Sequence, residues 1–184
     1  MKTTFILHGG FAVSDKQEDD FFSQEILRTA PQNTHILLVY FAAETNRIPV
    51  YEESDIEQFE KNKGDRILSF EVARDELFLE QVQKADILYL HGGRSEKLLQ
   101  TFKNYPSFAN HLRGKIIGAD SAGANILSSV FYSKSMGVGE GLGIIPIKLI
   151  CHFKEEMRTY LDHTRLDLPT LYLSEYQFKT FVIE

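Results

Sequence analysis

The sequence lacks the features of a disulfide-stabilised, nucleic-acid-binding or membrane-spanning protein. A single cysteine among 184 residues excludes an internal disulfide framework and favours a reducing compartment. Twenty basic against twenty-six acidic residues give a net charge of −6, which leaves no electropositive surface for a phosphate backbone. No stretch stays apolar for about 18 residues, and His and Gly interrupt the N-terminal MKTTFILHGG too early for a signal peptide. We therefore expect a soluble, cytoplasmic protein with no nucleic-acid and no membrane partner.

Apolar runs of strand length alternate along the chain with amphipathic stretches of helix length. A length of 184 residues with 43% hydrophobic content suits one sizeable core, which predicts a single domain over residues 1–184. The alternation predicts an α/β fold whose mostly parallel central sheet is covered by helices on both faces. The predicted strands are residues 3–7, 35–41, 66–70, 87–90 and 115–118, and the predicted helices lie within 14–30, 51–64 and 74–85.

Two further segments have a simple structural interpretation. Glu18, Asp19 and Asp20 stand near a helix start, where the helix dipole favours carboxylates. The glycine-rich segment 137–143, GVGEGLG, lacks the Lys-Ser/Thr of a phosphate-binding loop, so we predict a loop inside the domain.

The segment IIGADSAGANIL, residues 116–127, surrounds Ser121 with small side chains. On a tight strand-to-helix turn, a serine hydroxyl projects from the sheet edge and large neighbours would collide there. Residues 119–123 follow the pattern G-x-S-x-G with Ala119 at the first small position. Ser121 is therefore a candidate nucleophile, although Ser-Ala-Gly also occurs in ordinary tight turns.

A nucleophilic serine needs amide donors for the oxyanion that forms on its substrate. The amide that follows the serine, here that of Ala122, normally supplies one donor. The stretch DILYLHGGRSEKLL ends a predicted strand at Gly92 and Gly93, at the same carboxyl edge of the sheet. Glycine leaves backbone N–H groups accessible, so these two residues are candidates for the second donor and the substrate wall. A plain strand-to-helix turn is the alternative. The similar FILHGGF after the first strand is predicted to be wall.

A serine hydroxyl also needs an imidazole base, which in turn needs an orienting acceptor. Among six histidines, His152 is the preferred candidate because it ends an apolar β run downstream of Ser121; a structural role is equally open. Cys151 would face the other way in an extended strand, and we interpret it as a buried apolar group. The spacing does not decide between the candidate acids, which are Glu175, Glu140, Asp120 and Asp162.

Four segments in this order, LYLHGGRSEKLL, IIGADSAGAN, GLGIIPIKLICHF and LYLSEYQF, are more specific than any one of them. Together they resemble the aspartyl dipeptidase (peptidase E) family of serine peptidases, which includes cyanophycinases and belongs to the class I glutamine amidotransferase-like superfamily. The resemblance covers most of the chain from Thr4 onward. It implies a three-layer αβα, flavodoxin-like fold. The site residues that it implies are the nucleophile Ser121, the base His152, the oxyanion donors Gly93 and Ala122, and the third member Glu175, with Glu140 in reserve.

The resemblance also implies a substrate class. Enzymes of this family cleave small peptides without a metal or an organic cofactor, and they recognise an acidic side chain partly through an arginine. Here Thr164 and Arg165 resemble their Thr-Arg pair, so Arg165 is a candidate substrate-binding residue and dipeptides with an acidic first residue are candidate substrates. Two features depart from the family: Ala119 replaces a glycine, and the segment between the candidate base and acid is shorter. The protein is expected to be a monomer or a homodimer.

Two other functions remain open at this point. A carboxylesterase of the α/β-hydrolase type shares the DSAGA and HGG motifs, but its histidine follows the acid near the chain end, whereas His152 follows Ser121 by 31 residues. A non-catalytic binding or regulatory module on the same scaffold is the second alternative, since a fold does not fix a function.

Overall fold

The computed structural model describes residues 2–14 and 16–184, and strands alternate with helices over its first two thirds. No helix in this part of the chain combines the length and the apolar character needed to cross a membrane. The elements are β1 Thr3–His8, α1 Gln17–Leu27, β2 Asn33–Val39, α2 Ile48–Asn62, β3 Ile67–Val72, α3 Phe78–Lys84, β4 Ile87–Leu90, α4 Ser95–Phe102, β5 Ile116–Asp120, α5 Ala122–Leu127, β6 Ser128–Ser133, β7 Gly137–Glu140, β8 Ile145–Cys151, β9 Thr170–Leu173 and β10 Phe178–Ile183.

The main sheet has six strands in the order β10-β1-β5-β4-β2-β3. All its neighbours pair in parallel except β10, which runs antiparallel to β1. The α/β fold with a mostly parallel central sheet is thus confirmed. Each predicted strand exists, and the bounds differ by two residues at most because apolar runs mark the strand interior better than its ends.

Side chains of the main sheet alternate between two apolar cores, one on each face. On β1, Phe5 and Leu7 join the core that contains α3, α4 and α5, whereas Ile6 joins the core that contains α1 and α2. The central strands are buried on both faces, which explains why they are continuous apolar runs in the sequence. This arrangement gives the predicted layers of helices, sheet and helices.

A second sheet of four strands, in the order β7-β6-β8-β9, packs beside the main sheet. The prediction of a loop over 137–143 is wrong for Gly137–Glu140, which pairs antiparallel with β6. A Cβ on Gly139 would lie 2.8 Å from the Phe131 ring, so the glycine lets this strand lie close to an aromatic side chain. Packing on Phe131 therefore outweighs the low strand propensity of glycine.

Backbone hydrogen bonds at the end of β1 join the two sheets. The His152 N–H donates to the Gly9 carbonyl at 2.7 Å, and the Ser121 N–H donates to the His8 carbonyl at 3.0 Å. The Tyr176 N–H donates to the Gly10 carbonyl at 3.1 Å. The ends of β5, β8 and the β9–β10 turn are thereby held around one point at the carboxyl edge of the main sheet.

Helix α4, which follows Gly93, is anchored through Phe102. This ring is buried and meets Phe78 and Phe108 at centroid distances of 5.5 and 4.7 Å. We expect Phe102→Ala to lower the free energy of unfolding by about 3 to 5 kcal/mol, because it leaves a cavity in an aromatic cluster. Phe21→Ala, at a ring that is about half exposed, should cost about 1 kcal/mol or less. Urea denaturation measures both, and equal losses would contradict this account of α4.

Candidate active site

Ser121 occupies the turn between β5 and α5 in a backbone conformation that side chains rarely adopt. Its φ is 43° and its ψ is −96°, and such strain persists only where the surroundings enforce it. The next residues must be small: a Cβ on Gly123 would overlap the carbonyl of Leu90, and Ala122 and Ala124 are completely buried. Ala119 is also completely buried, so the core accommodates its methyl group in place of the expected glycine.

The structure brings Ser121, His152 and Glu175 together. Ser121 Oγ lies 3.0 Å from His152 Nε2, and His152 Nδ1 lies 3.3 Å from Glu175 Oε1. The imidazole is therefore hydrogen-bonded at both nitrogens, to a hydroxyl on one side and to a carboxylate on the other. The Glu175 side chain is 41% exposed, so water weakens its charge effect on the imidazole.

Two of the other candidate acids lie elsewhere. Glu140 is exposed on β7, and its charge helps to raise the pKa of Arg165, after the larger effect of Asp167. Asp120 binds His8 instead, with Oδ1 2.9 Å from Nδ1. Glu175 itself lies in the turn between β9 and β10 rather than inside a strand.

The turn after β1 fixes the position of the His152 ring. A Cβ on Gly10 would overlap that ring, and the φ of Gly10 is 125°, which strongly favours glycine. The ring of Phe11, 53% exposed, meets the imidazole edge-on at a centroid distance of 5.4 Å. The His-Gly-Gly segment 8–10 was predicted only to line the cleft, but it also determines where the His152 imidazole lies.

The two predicted oxyanion donors lie at neighbouring strand ends. The amides of Gly93 and Ala122 donate to no other residue within 2–14 and 16–184. Gly93 has a φ of 140°, and a Cβ there would lie 2.5 Å from the Ala42 carbonyl oxygen. The close approach of these backbones requires glycine and leaves the N–H free for a ligand.

Two cavities meet at the serine, and both are lined by Phe11, Gly93, Ser121 and His152. The first cavity, of about 440 Å³, extends toward the second sheet and carries the cationic side chains Arg94, Lys134 and Lys154. The second cavity, of about 500 Å³, extends toward α2 and is lined by Tyr51, Tyr89, His91, Gly92 and Asp120. The nucleophile therefore lies between a cavity lined by three cations and the Glu175 carboxylate and a cavity lined by the Asp120 carboxylate without Lys or Arg among its described residues.

Arg165, the predicted substrate-binding residue, is not brought to this site. Its guanidinium forms two hydrogen bonds with Asp167, at 2.9 and 2.8 Å, and it lines neither cavity. Gly92, the other predicted substrate contact, lines the second cavity. Among the described residues, the cationic side chains that line the cavities at the serine are the three of the first cavity.

Two pairs of buried ionisable side chains lie beneath the site, and the sequence analysis did not predict either pair. His8 Nε2 lies 3.8 Å from Asp19 Oδ1, and His91 Nδ1 lies 2.8 Å from Asp55 Oδ2. Burial raises the pKa of both Asp19 and Asp55. One sequence feature could have revealed these buried groups: each of the two histidines precedes a Gly-Gly pair at the end of a strand. Asp19, assigned above to the helix dipole alone, also contacts this buried group.

No three His, Cys, Asp or Glu side chains within 2–14 and 16–184 are arranged to hold a metal ion.

Comparison with known proteins identifies a matching family and similar folds. The model of Peptidase family S51 matches residues 5–170. A peptidase from an acI-B1 Actinobacterium has a TM-score of 0.68 at 20% identity, over 100% of this chain and 84% of that one. A "Putative Peptidase E Protein" from Listeria monocytogenes EGD-e has a TM-score of 0.71 at 16% identity, over 100% of both chains. At such identities the structural likeness shows the fold alone. No curated protein matches the chain.

Cys151 lies beside the candidate base, and it is buried, as predicted. Its Sγ lies 3.7 Å from the Ser121 and His8 carbonyl oxygens, and burial raises the thiol pKa well above its usual value. Because the thiolate is the reactive form, we expect iodoacetamide to leave native Cys151 unmodified at neutral pH. Mass spectrometry measures the modification, and the same reagent in concentrated urea should alkylate one thiol per chain. Rapid alkylation of the native protein would contradict this expectation.

Proposed function

Because this chain belongs to peptidase family S51 and is a serine-type peptidase, we propose that Ser121, His152 and Glu175 form the triad with which it cleaves small peptides. The observation that carries the proposal is the 3.0 Å separation of Ser121 Oγ and His152 Nε2 on a strained strand-to-helix turn. A hydroxyl in this position has a base within hydrogen-bonding distance, which is the geometry that general-base activation requires.

The proposed reaction follows from these positions. His152 Nε2 takes the Ser121 Oγ proton as Oγ attacks the peptide carbonyl carbon, and Glu175 stabilises the imidazolium through Nδ1–H. The free amides of Gly93 and Ala122 donate to the oxyanion. The imidazolium then protonates the leaving amine as the C–N bond breaks. Water, deprotonated by the same imidazole, hydrolyses the acyl-enzyme and restores the hydroxyl.

The two cavities support short substrates. Volumes of about 440 and 500 Å³ lie within the range of small-molecule sites, and the nucleophile lies where the cavities meet. A dipeptide spans both cavities with its scissile bond at Ser121. The chain order Ser121, His152, Glu175 differs from the Ser-acid-His order of the α/β-hydrolases, which argues against the carboxylesterase alternative.

A preference for substrates with an acidic first residue is part of the proposal. The residues that we propose to recognise that acidic side chain are lysines of the first cavity and not Arg165. Arg165 pairs with Asp167, whereas Lys134 and Lys154 line the first cavity with exposed side chains. Two ammonium groups beside the serine favour a substrate carboxylate, as charge complementarity in a cleft requires. We therefore assign the acidic side chain of the substrate to the first cavity.

Replacement of the nucleophile tests the proposal. We expect Ser121→Ala to lower kcat/KM for dipeptides such as Asp-Leu and Ala-Leu by at least about 10³-fold, because the remaining donors and binding contacts cannot form an acyl-enzyme. The matched control is Ser69→Ala on β3, which should keep kcat/KM within about twofold of the parent because it lies away from the site. Release of free leucine measures the rate.

The same assay separates the alternatives. Unchanged hydrolysis by Ser121→Ala would refute the triad, and hydrolysis of esters but not of dipeptides would favour an esterase. Equal kcat/KM for Asp-Leu and Ala-Leu would remove the acidic preference while leaving the triad intact. A phosphonate that labels Ser121 in the parent protein identifies the nucleophile independently of the substrate.

The identity of the acid is tested by paired glutamate variants. We expect Glu175→Ala to lower kcat by about 100-fold, because the imidazolium loses the carboxylate 3.3 Å from Nδ1. Glu140→Ala should change kcat by less than about twofold, because Glu140 lies exposed on β7 away from the imidazole. The reverse pattern in steady-state kinetics would assign the acid to Glu140.

A further inference from the structure

Asp120, the residue before the nucleophile, has a carboxyl group with one bonded and one free oxygen. Oδ1 lies 2.9 Å from His8 Nδ1, whereas Oδ2 has no hydrogen-bond partner within residues 2–14 and 16–184. The side chain is only 10% exposed, and it lines the second cavity. Oδ2 therefore faces the cavity without a protein donor, and a ligand in the cavity can supply one.

Gly92 keeps this oxygen accessible. A Cβ at position 92 would lie 2.7 Å from Asp120 Oδ2, so any side chain there would press against the oxygen from the cavity side. Gly92 lines the same cavity. The absence of a side chain at Gly92 thus leaves Asp120 Oδ2 open to the second cavity.

His91 contributes a second acceptor to this wall. Its Nδ1 lies 2.8 Å from Asp55 Oδ2, and a carboxylate at that distance holds the proton on Nδ1. In the tautomer with the proton on Nδ1, the other nitrogen, Nε2, carries the lone pair that can accept a hydrogen bond. The ring lines the second cavity with 13% of its side chain exposed.

The charge of this region favours a cation. No Lys or Arg is present among the described residues that line the second cavity. Three carboxyl groups, of Asp19, Asp55 and Asp120, face two imidazoles, of His8 and His91. Burial raises the pKa of Asp55, and the negative charge of Asp120 raises it further, so these two carboxyl groups interact electrostatically.

We propose that the second cavity binds the α-ammonium group of the substrate's N-terminal residue, through Asp120 Oδ2 and His91 Nε2. The assignment rests on the proposed function of Ser121. In a peptide whose first carbonyl is attacked, the α-nitrogen is two bonds from the reacting carbon, and Asp120 is the chain neighbour of the attacking residue. An ammonium group held there makes the enzyme prefer unblocked N-termini, while the side chain of the same residue points to the first cavity.

A matched pair of substrates tests this subsite. The probes are Ala-Leu and N-acetyl-Ala-Leu, which differ only in the charge and size of the amino end. We expect the parent protein to prefer the free amine in kcat/KM, and Asp120→Asn to lower kcat/KM for Ala-Leu by about 30-fold or more. The same variant should lower kcat/KM for N-acetyl-Ala-Leu by a much smaller factor, about threefold or less, because that substrate has no ammonium group for the carboxylate to bind.

Two further variants provide controls. Asp19→Asn removes a buried carboxylate next to His8 that does not line the cavity, so it should keep the preference for the free amine. If Asp120→Asn does not fold, Gly92→Ala serves in its place: its methyl group would press on Oδ2, and it should reduce the preference in the same way.

The possible results separate the two proposals. An unchanged preference in Asp120→Asn, or an equal loss with both substrates, overturns the ammonium subsite while hydrolysis by Ser121 stands. A parent protein that cleaves both substrates equally also overturns the subsite. If the parent cleaves neither substrate and its Ser121 resists free-amino and N-acetylated phosphonates alike, the proposed function itself fails, and the subsite fails with it.

Discussion

The site depends on the close backbone contact between the turn after β1 and the segment after β8. The Gly9 carbonyl accepts from the His152 N–H, and Gly10 leaves no room for a Cβ beside the imidazole. This contact joins the main sheet to the second sheet, and it decides where the imidazole lies relative to Ser121. Without two glycines at this turn, the second sheet would have to move away from the first. The hydrogen bond at 3.0 Å between hydroxyl and imidazole is a consequence of that contact.

Strain and charge are both concentrated at this edge of the sheet. Ser121 and His152 have positive φ values of 43° and 49°, a conformation that costs free energy and is retained where packing enforces it. The first cavity, lined by three cations and one carboxylate, meets at the serine the second cavity, whose described lining contains one carboxylate and no Lys or Arg, so the charge changes along the cleft. In the proposed function, this charge pattern suits a zwitterionic dipeptide.

The five parallel strands of the main sheet were predictable from their apolar runs, and β4 coincides with the prediction at residues 87–90, whereas the antiparallel edge strand β10 was not predicted. The second sheet was not predicted, because its strands pair across distant segments and one of them is rich in glycine. The motif around Ser121 pointed to the correct turn. Arg165 was expected at the site because of its neighbours in the sequence, but its guanidinium binds Asp167, and pairing between side chains depends on the folded loop.

The sequence alone therefore determined the α/β class and the position of the serine on a strand-to-helix turn, because both are local properties of periodicity and side-chain size. Only the tertiary structure decided which carboxylates serve which imidazoles. Glu175 reaches His152, and Asp120 pairs with His8, across separations of 23 and 112 residues. Such pairs are fixed by sheet order and by backbone contacts between strands, and no spacing along the chain specifies them.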